Sequence, residues 1–311
     1  MGLLSGLEKF GLSLGDDFDI TDDGKKEKKG AKPKASGTVA KKVEEKDLVL
    51  AKTIMCPVCD RKFSTLTAKT TKAKRLDPDP DLRPNFEGID TLKYEVCSCP
   101  YCGYTAMNKF FDHLSTAQIK WVKQGVCVNF TPQPIDDLKE TYDYDESVDK
   151  YKLALVSAVA KHSKLSEKSL ICLRIAWMRR SQIKGMTDHN PQDIEKIKLL
   201  RKEMDGFYKQ AFEGFTKSIS TETPPFCGMD TNTVEYLLAN MAVYFKDYTT
   251  ASRLVSGLMQ NPNTPGRVKD KCYDLKEKIV AEVKAAKLAA AKAAKAQAAQ
   301  APAAKAPVQN K

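Results

Sequence analysis

The chain has 311 residues, enough for two domains, and its 42% hydrophobic and 29% charged residues are typical of a globular protein with polar tails. Its net charge of +11 lies mainly in two low-complexity stretches, residues 24–46 and 281–311. This distribution argues against a shaped nucleic-acid site and favours weak, salt-sensitive attraction of polyanions to the Lys-rich tails. No apolar run suits a membrane span and no export signal is evident, so we expect a cytoplasmic protein with no membrane partner.

The N-terminal segment, residues 1–46, is predicted to be disordered. Residues 21–46 are rich in Lys, Gly, Ala and Pro and predict a linker. Before the linker, four apolar residues share one helical face but are interrupted by glycines, which disfavour a stable helix. We expect a frayed terminus; the alternative is a docking peptide that orders on a partner or on the protein's own groove. The four apolar residues are Leu3, Leu7, Phe10 and Leu14.

Two matched cysteine pairs predict a metal site. Cys56 and Cys59 enclose Pro-Val, and Cys99 and Cys102 enclose Pro-Tyr, with Gly103 directly after the second pair. Two such turns supply four thiolates to one tetrahedral ion, and glycine tolerates the positive φ that the turn needs. Structural zinc, one Zn²⁺ per chain, is the favoured interpretation. Iron in a rubredoxin-like site uses similar ligands, and a redox CxxC pair is a further alternative.

Short strands are predicted beside both cysteine pairs. Residues 62–69 alternate between polar and less polar side chains, and Leu92, Tyr94 and Val96 alternate before the second pair. The two pairs are therefore expected on paired short strands around the metal. Cys97 stands two residues before Cys99 and shares its strand face, which places it near the metal or makes it a buried thiol. We prefer the buried thiol because Cys97 lacks the CPxCG context.

A basic cluster follows the first pair and has two interpretations. Lys and Arg on a zinc-ribbon hairpin can contact phosphates of nucleic acid, or they can protect a solvated edge strand, which we favour. The acidic turn at Asp77, Asp79 and Asp81 lacks the pattern of a calcium loop. We expect it to pair with Arg83 or a neighbouring lysine. The basic residues are Lys62, Lys69, Lys72, Lys74 and Arg75.

The pattern becomes helical after residue 113. A capping box at Ser115, an N-cap at Ser166 and the sequence Asn190-Pro191 predict helix starts. Further helices are expected at about 145–161, 232–245 and 249–260 and from about 267. The fold class is therefore mainly α: a small β-rich zinc-ribbon-like domain at 47–112, a helical tetratricopeptide-like bundle or short solenoid at 113–284, and an Ala/Lys-rich tail at 285–311. The last helix is expected to run into the repeats of this tail, with disorder beyond Pro302.

No motif in the sequence predicts catalysis. The three histidines, His113, His162 and His189, stand in no metalloprotease or nucleophile motif. A catalytic zinc keeps an open coordination position, whereas a four-cysteine site is closed. We therefore predict a non-enzymatic protein.

A family resemblance rests on the order of these motifs. Residues 235–265 resemble a tetratricopeptide repeat through Leu238-Ala239 and Asp247-Tyr248 followed by Ala251. The CPxC pair, the Asp79-Pro80-Asp81 stretch, the CPYCGY pair and the helical half together resemble a bacterial family, common in Firmicutes, classed as a domain of unknown function. The resemblance covers about 47–280 and implies a zinc-ribbon-like head, a helical body and a cytoplasmic setting, with no assigned reaction.

The function predicted from the sequence is that of a protein-interaction scaffold or adaptor. A metal-stabilised head would fix a helical repeat, and the helical groove would bind a peptide or protein partner. The alternative is a nucleic-acid-binding or transcription-associated zinc-ribbon protein. The sequence does not predict the oligomeric state.

Overall fold

The structure is a computed structural model that describes residues 8–11, 44–136, 138–187 and 190–300, without the side chains of 292–300. It is mainly helical, with small antiparallel strand pairs preceding the helices, as the sequence predicts. The chain forms two compact units that are divided between Val234 and Glu235, and each is described by itself.

Three antiparallel hairpins form the strand-rich region of the first unit. β1 (Val49–Met55) pairs with β2 (Lys62–Ala68), β3 (Arg75–Leu76) with β4 (Asn85–Phe86), and β5 (Val96–Ser98) with β6 (Thr105–Met107). The turns that connect β1 to β2 and β5 to β6 contain the two CxxC pairs. The predicted placement of both pairs on paired short strands is therefore confirmed.

The strand predicted from Leu92 begins only at Val96. Residues Thr91–Tyr94 instead form a 3-10 turn. The Asp90 carboxylate accepts a hydrogen bond from the Leu92 backbone N–H at 3.2 Å and so caps this turn. An Asp side chain that accepts from a nearby backbone N–H favours a turn rather than an extended strand, because the donor then needs no partner on another strand.

Four helices complete the first unit up to Thr221. They are α1 (Thr116–Val122), α2 (Tyr144–Ala160), α3 (Leu165–Lys184) and α4 (Pro191–Thr221), and a single π-helical turn, Lys123–Cys127, follows α1. Ser115 and Asn190 cap α1 and α4 as predicted, since their side chains accept from backbone N–H groups three residues later. α3 packs against both α2 and α4 and buries most of its residues.

The strand-rich region and the helices share one core. α2 packs on β5 and β6, and the Thr105 backbone N–H donates to Ser157 Oγ at 3.2 Å. The hydroxyl of Tyr151, fully buried on α2, donates to the Leu92 carbonyl at 2.9 Å. The domain boundary predicted between residues 112 and 113 therefore falls inside the first compact unit.

The short segment at residues 8–11 differs from the predicted frayed terminus. Glu8–Phe10 forms a 3-10 turn, and the Phe10 side chain is buried. An aromatic ring that finds an apolar surface gains burial free energy that offsets the loss of chain entropy. The other apolar positions, Leu3, Leu7 and Leu14, lie outside the described residues.

The second unit contains most of α5 (Thr231–Tyr244) together with α6 (Tyr248–Gln260) and α7 (Gly266–Gln300). α6 packs on α7, and Ile279 is the last buried residue among positions 266–291 of α7, whose side chains are described. The helix continues through the Ala/Lys/Gln repeats to Gln300, as expected from the sequence, because Ala and Lys favour helix without packing. No helix in the described part of the chain is long and apolar enough to cross a membrane.

Candidate metal centre

The two CxxC turns are built in the same way. In the first, the Cys56 N–H donates to the Arg61 carbonyl at 3.0 Å, and the Asp60 N–H donates to the Cys56 carbonyl at 2.9 Å. The second turn has the matching bonds, from Cys99 to Tyr104 at 2.9 Å and from Gly103 to Cys99 at 3.0 Å. The chain therefore folds back after each pair and brings its two sulfurs to the same side.

Both turns contain a residue with positive φ directly after the second cysteine. Gly103 has a φ of +77°, as its place in the motif predicts, and Asp60 has a φ of 60°. A Cβ on Gly103 would lie only 2.3 Å from the Phe130 ring, so this glycine is also required by packing. The sequence analysis misses Asp60, although Asp is one of the few residues that tolerate this conformation.

The structure brings the four predicted ligands together. The sulfurs of Cys56, Cys59, Cys99 and Cys102 all lie within 4.8 Å of one another. The Sγ atoms of Cys56 and Cys102, and those of Cys59 and Cys99, are 3.6 Å apart. A tetrahedron with Zn–S bonds of about 2.3 Å has edges of about 3.8 Å, so the four sulfurs fit a tetrahedral ion of this size.

Burial and hydrogen bonding also suit a thiolate cluster. Cys56 and Cys99 are fully buried, Cys102 is nearly so, and Cys59 is partly exposed. The Val58 backbone N–H points at the Cys56 sulfur at 3.5 Å. A backbone N–H in this position stabilises negative charge on the sulfur, as a thiolate ligand requires. All nine cysteines are free, so none of the four sulfurs is in a disulfide.

Three of the four thiols, those of Cys56, Cys99 and Cys102, do not ionise independently. Hydrogen bonds from Cys102 and Cys56 lower the pKa of Cys99 to about 2. Contacts with Cys127, Cys56 and Cys99 raise the pKa of Cys102. The pKa of Cys56 rises to about 12, because its contact with Cys102, which lowers it, is outweighed by the contact with Cys99 and by burial. The Cys99 thiolate is stabilised while Cys56 and Cys102 retain their protons, and the positive charge of a bound cation would favour the loss of these two protons.

Two further cysteines lie near this region. The Cys97 thiol donates to Asn108 Oδ1 at 3.1 Å, and burial raises its pKa to about 11, which confirms the prediction of a buried thiol. Cys127, on the π-helical turn, hydrogen-bonds with Cys102, and this contact lowers the pKa of Cys127. The sequence analysis misses Cys127, because it stands outside any CxxC pattern and reaches the site only through the fold.

The described histidines lie outside the cysteine cluster. His113 is exposed, and His162 meets the edge of the Trp121 ring at a centroid distance of 4.7 Å. His189 lies outside the described residues. The expectation that His113 and His162 are ordinary surface or core histidines is consistent with these positions.

The basic residues proposed for nucleic-acid contact are placed on and after β2. Lys62, Lys72 and Arg75 are exposed. Lys69 instead donates to the Asp47 carbonyl at 3.1 Å, and Lys74 forms a salt bridge with Glu87 at 2.9 Å. Two of the five cations are thus engaged within the protein, and nucleic-acid binding by this surface stays a prediction.

The acidic turn pairs with a different partner from the one predicted. Asp79 and Asp81 bind Arg180 of α3 at 2.8 and 2.7 Å. Arg83 binds Asp90 instead, at 2.5 Å. The predicted pairing with Arg83 is wrong because the turn packs against α3, whose arginine is 99 residues from Asp81 and cannot be identified from local sequence.

Comparisons with known proteins support a family assignment. Neither the curated proteins nor the solved structures contain a match to this chain. A family model described as "Uncharacterized protein conserved in bacteria" matches residues 49–279. This range includes the cysteine cluster, all three hairpins, helices α1 to α6 and the first part of α7. The chain therefore belongs to this family of bacterial proteins, DUF2225.

Proposed function

We propose that this protein is a non-catalytic protein-interaction scaffold whose fold depends on one structural Zn²⁺. The observation that carries the proposal is the closed cluster of four cysteine sulfurs at the tips of two separate hairpins. Cys56, Cys59, Cys99 and Cys102 would hold the ion and so join the β1–β2 hairpin to the β5–β6 hairpin. The ion supplies positive charge that compensates the thiolates and cross-links the chain.

The closed donor set favours a structural role over a catalytic one. Four protein sulfurs fill the tetrahedral shell, which leaves no position for a water or a substrate. Zinc is preferred over iron because sulfur donors in a buried, closed site are the usual structural zinc set, although rubredoxin-like iron accepts the same donors. A cytoplasmic location accords with free thiols, since a reducing compartment keeps them available for metal.

The scaffold role is supported by the helices of the second unit. Ala239 on α5 and Ala251 on α6 are fully buried. They are the small residues through which residues 235–265 resemble a tetratricopeptide repeat, and such repeats present grooves to protein or peptide partners. The proposed partner is accordingly a protein or peptide that binds the helical part of the molecule.

Metal analysis and cobalt substitution test the closed site. Untagged protein should contain one zinc per chain by elemental mass spectrometry. After exchange for Co²⁺, the absorption spectrum should show tetrahedral thiolate coordination and should stay unchanged when cyanide or azide is added, because a closed site offers neither ligand a position. Iron in the purified protein would contradict the assignment of zinc. A spectral shift with cyanide would show an open position and would overturn the non-catalytic role.

A further inference from the structure

The N-terminal turn at residues 8–11 binds the segment that follows the π-helical turn. The Phe10 ring stacks on the Phe130 ring, with centroids 5.9 Å apart and an interplanar angle of 10°. The Phe10 carbonyl accepts from the Thr131 backbone N–H at 2.7 Å, and the Lys9 carbonyl accepts from Gln133 Nε2 at 3.4 Å. Main-chain bonds combined with a buried aromatic anchor are the contacts by which grooves recognise linear peptides.

The same turn also pairs with a half-buried carboxylate. The Lys9 ammonium forms an ion pair with Asp149 of α2, whose side chain is only 14% exposed. Burial raises the pKa of Asp149, and Lys9 acts against that effect. This ion pair stabilises a positive charge at the first position of the turn, so the position favours an occupant with a basic side chain.

The third position of the turn, Gly11, has no room for a side chain because the backbone of Asn129 lies close to it. Gly11 has a φ of +77°, and a Cβ there would lie 2.2 Å from the Asn129 carbonyl oxygen. The turn thus presents a basic residue, an aromatic residue and a glycine in succession to one groove. Its lining residues are Asn129, Phe130, Thr131, Gln133 and Asp149. Beside Phe10 it continues as a cavity of about 360 Å³ whose walls include Leu66, Tyr142 and Leu153.

The sequence permits this turn to leave the groove. Residues 12–43, 32 in number, separate it along the chain from Glu44, and residues 21–43 are rich in Lys, Gly and Ala. A tether of this kind holds its end at an effective concentration of roughly millimolar, so a cis segment competes with external ligands without making release impossible.

We propose that this groove is a binding site for partner peptides of the form basic–aromatic–glycine, and that Lys9–Phe10–Gly11 occupies it until such a partner displaces it. The inference rests on the proposed scaffold function in assigning a peptide partner, but it does not depend on the identity of the metal. The N-terminal turn is thus an internal competitor that sets how tightly the groove binds its partner.

Binding of a labelled peptide to the full-length chain tests this proposal. The probe is a fluorescent synthetic peptide of residues 5–15, followed by fluorescence polarisation. Phe10→Ala and Gly11→Ala in the protein each weaken the internal turn, so both variants should bind the probe at least about tenfold more tightly than the unaltered protein. Two variants are used because they disturb the turn by different means, loss of the ring and a clash with Asn129.

Matched controls make the result specific. Phe18→Ala removes the other aromatic residue of the N-terminal segment and should leave probe affinity as in the unaltered protein. A probe with Phe10→Ala should bind none of the proteins. Asp149→Asn, added to the Phe10→Ala protein, should weaken probe binding at least about fivefold, since the half-buried side chain loses the charge that attracts Lys9.

Several outcomes would overturn the proposal. They are equal probe affinity in all proteins, no probe binding to either released variant, and a dimer that disappears with Phe10→Ala, which would show that the groove serves a second copy of the chain. Metal content is measured on the same samples, so that a failure of the peptide-binding proposal can be told apart from a failure of the proposed zinc site. Failure of probe binding with zinc present would overturn only the groove, and probe binding without zinc would overturn only the metal assignment.

Discussion

At the residue scale, Asp81 connects the acidic turn to two helices. Its carboxylate, on a residue that is 5% exposed, accepts from Trp177 Nε1 at 2.7 Å, from Arg180 at 2.7 and 2.8 Å, and from the Tyr208 hydroxyl at 3.1 Å. Burial raises the pKa of Asp81, but the Arg180 guanidinium and the other donors outweigh it, so the pKa is lowered. A buried charge that is fully paired in this way is costly to disrupt from one side.

We expect Asp81→Asn to reduce the free energy of unfolding by about 2–4 kcal/mol at pH 7, because it removes the charge and leaves Arg180 with Asp79 alone. The pKa of Asp81 is lower in the folded state, so its stabilising contribution is present above the unfolded pKa of about 3.9 and is lost as pH falls through the folded pKa. Urea unfolding of both proteins at pH 7 and pH 3 measures this difference, which should be smaller at pH 3.

Asp77→Asn is the matched control for this measurement. Asp77 belongs to the same acidic turn but is exposed, and its substitution should change the unfolding free energy by less than about 0.5 kcal/mol. A cost for Asp77→Asn equal to that of Asp81→Asn, or a cost for Asp81→Asn that does not change with pH, would contradict the assigned role of the buried carboxylate.

At the element scale, the two cysteine turns have the same backbone hydrogen bonds but different residues at the position of positive φ. Gly103 is enclosed by the Phe130 ring, whereas Asp60 is exposed. Both turns need a residue that tolerates positive φ, but only the second turn also needs a residue without a side chain, because of the Phe130 ring. Substitutions at the two positions can therefore separate the cost of backbone conformation from the cost of packing.

We expect Gly103→Ala to destabilise the protein by about 3 kcal/mol, since positive φ costs a residue with a Cβ roughly 1–2 kcal/mol and displacement of the Phe130 ring adds about 1–3 kcal/mol. Asp60→Gly should be neutral within about 1 kcal/mol, because glycine adopts the observed φ without strain but loses more chain entropy on folding. Thermal unfolding with metal content measured in parallel tests both substitutions. A loss for Gly103→Ala no larger than the roughly 1–2 kcal/mol of positive φ alone would show that the enclosing ring is unimportant.

The features that sequence predicts correctly are those with local causes. Ser115 and Asn190 start helices because their own side chains bond to backbone three residues later, and the cysteine spacing alone identifies the four clustered thiols. Ser166, predicted as the N-cap of α3, instead lies inside that helix, and Lys164 precedes its first residue. The Ser166 N–H donates to the Glu222 carboxylate, 56 residues away, and no local pattern identifies such a partner.

At the scale of the whole molecule, the strand-rich region and the helices of the first unit are cross-linked by many contacts. Tyr142 connects the hairpins to the start of α2, since its ring stacks on Tyr94 at 5.5 Å and its hydroxyl accepts from the Leu66 N–H at 3.0 Å. Trp177 and Tyr151 bond to the strand-rich region from α3 and α2. This connectivity predicts that the cysteine-rich head does not unfold as an independent domain.

Loss of the metal should therefore unfold the hairpins and α2–α3 together. Structural zinc contributes on the order of 10 kcal/mol to folding, comparable to the total stability of about 5–15 kcal/mol of a typical domain. We expect Cys102→Ser to lose the ion and, by hydrogen-exchange mass spectrometry, to lose protection in β1, β2, β5, β6, α2 and α3 at the same time. Cys97→Ser, which removes a buried thiol outside the cluster, should retain both metal and protection. Protection that survives in α2 and α3 of Cys102→Ser while the hairpins exchange would instead support the domain boundary at 112–113, because the helices would then fold without the head.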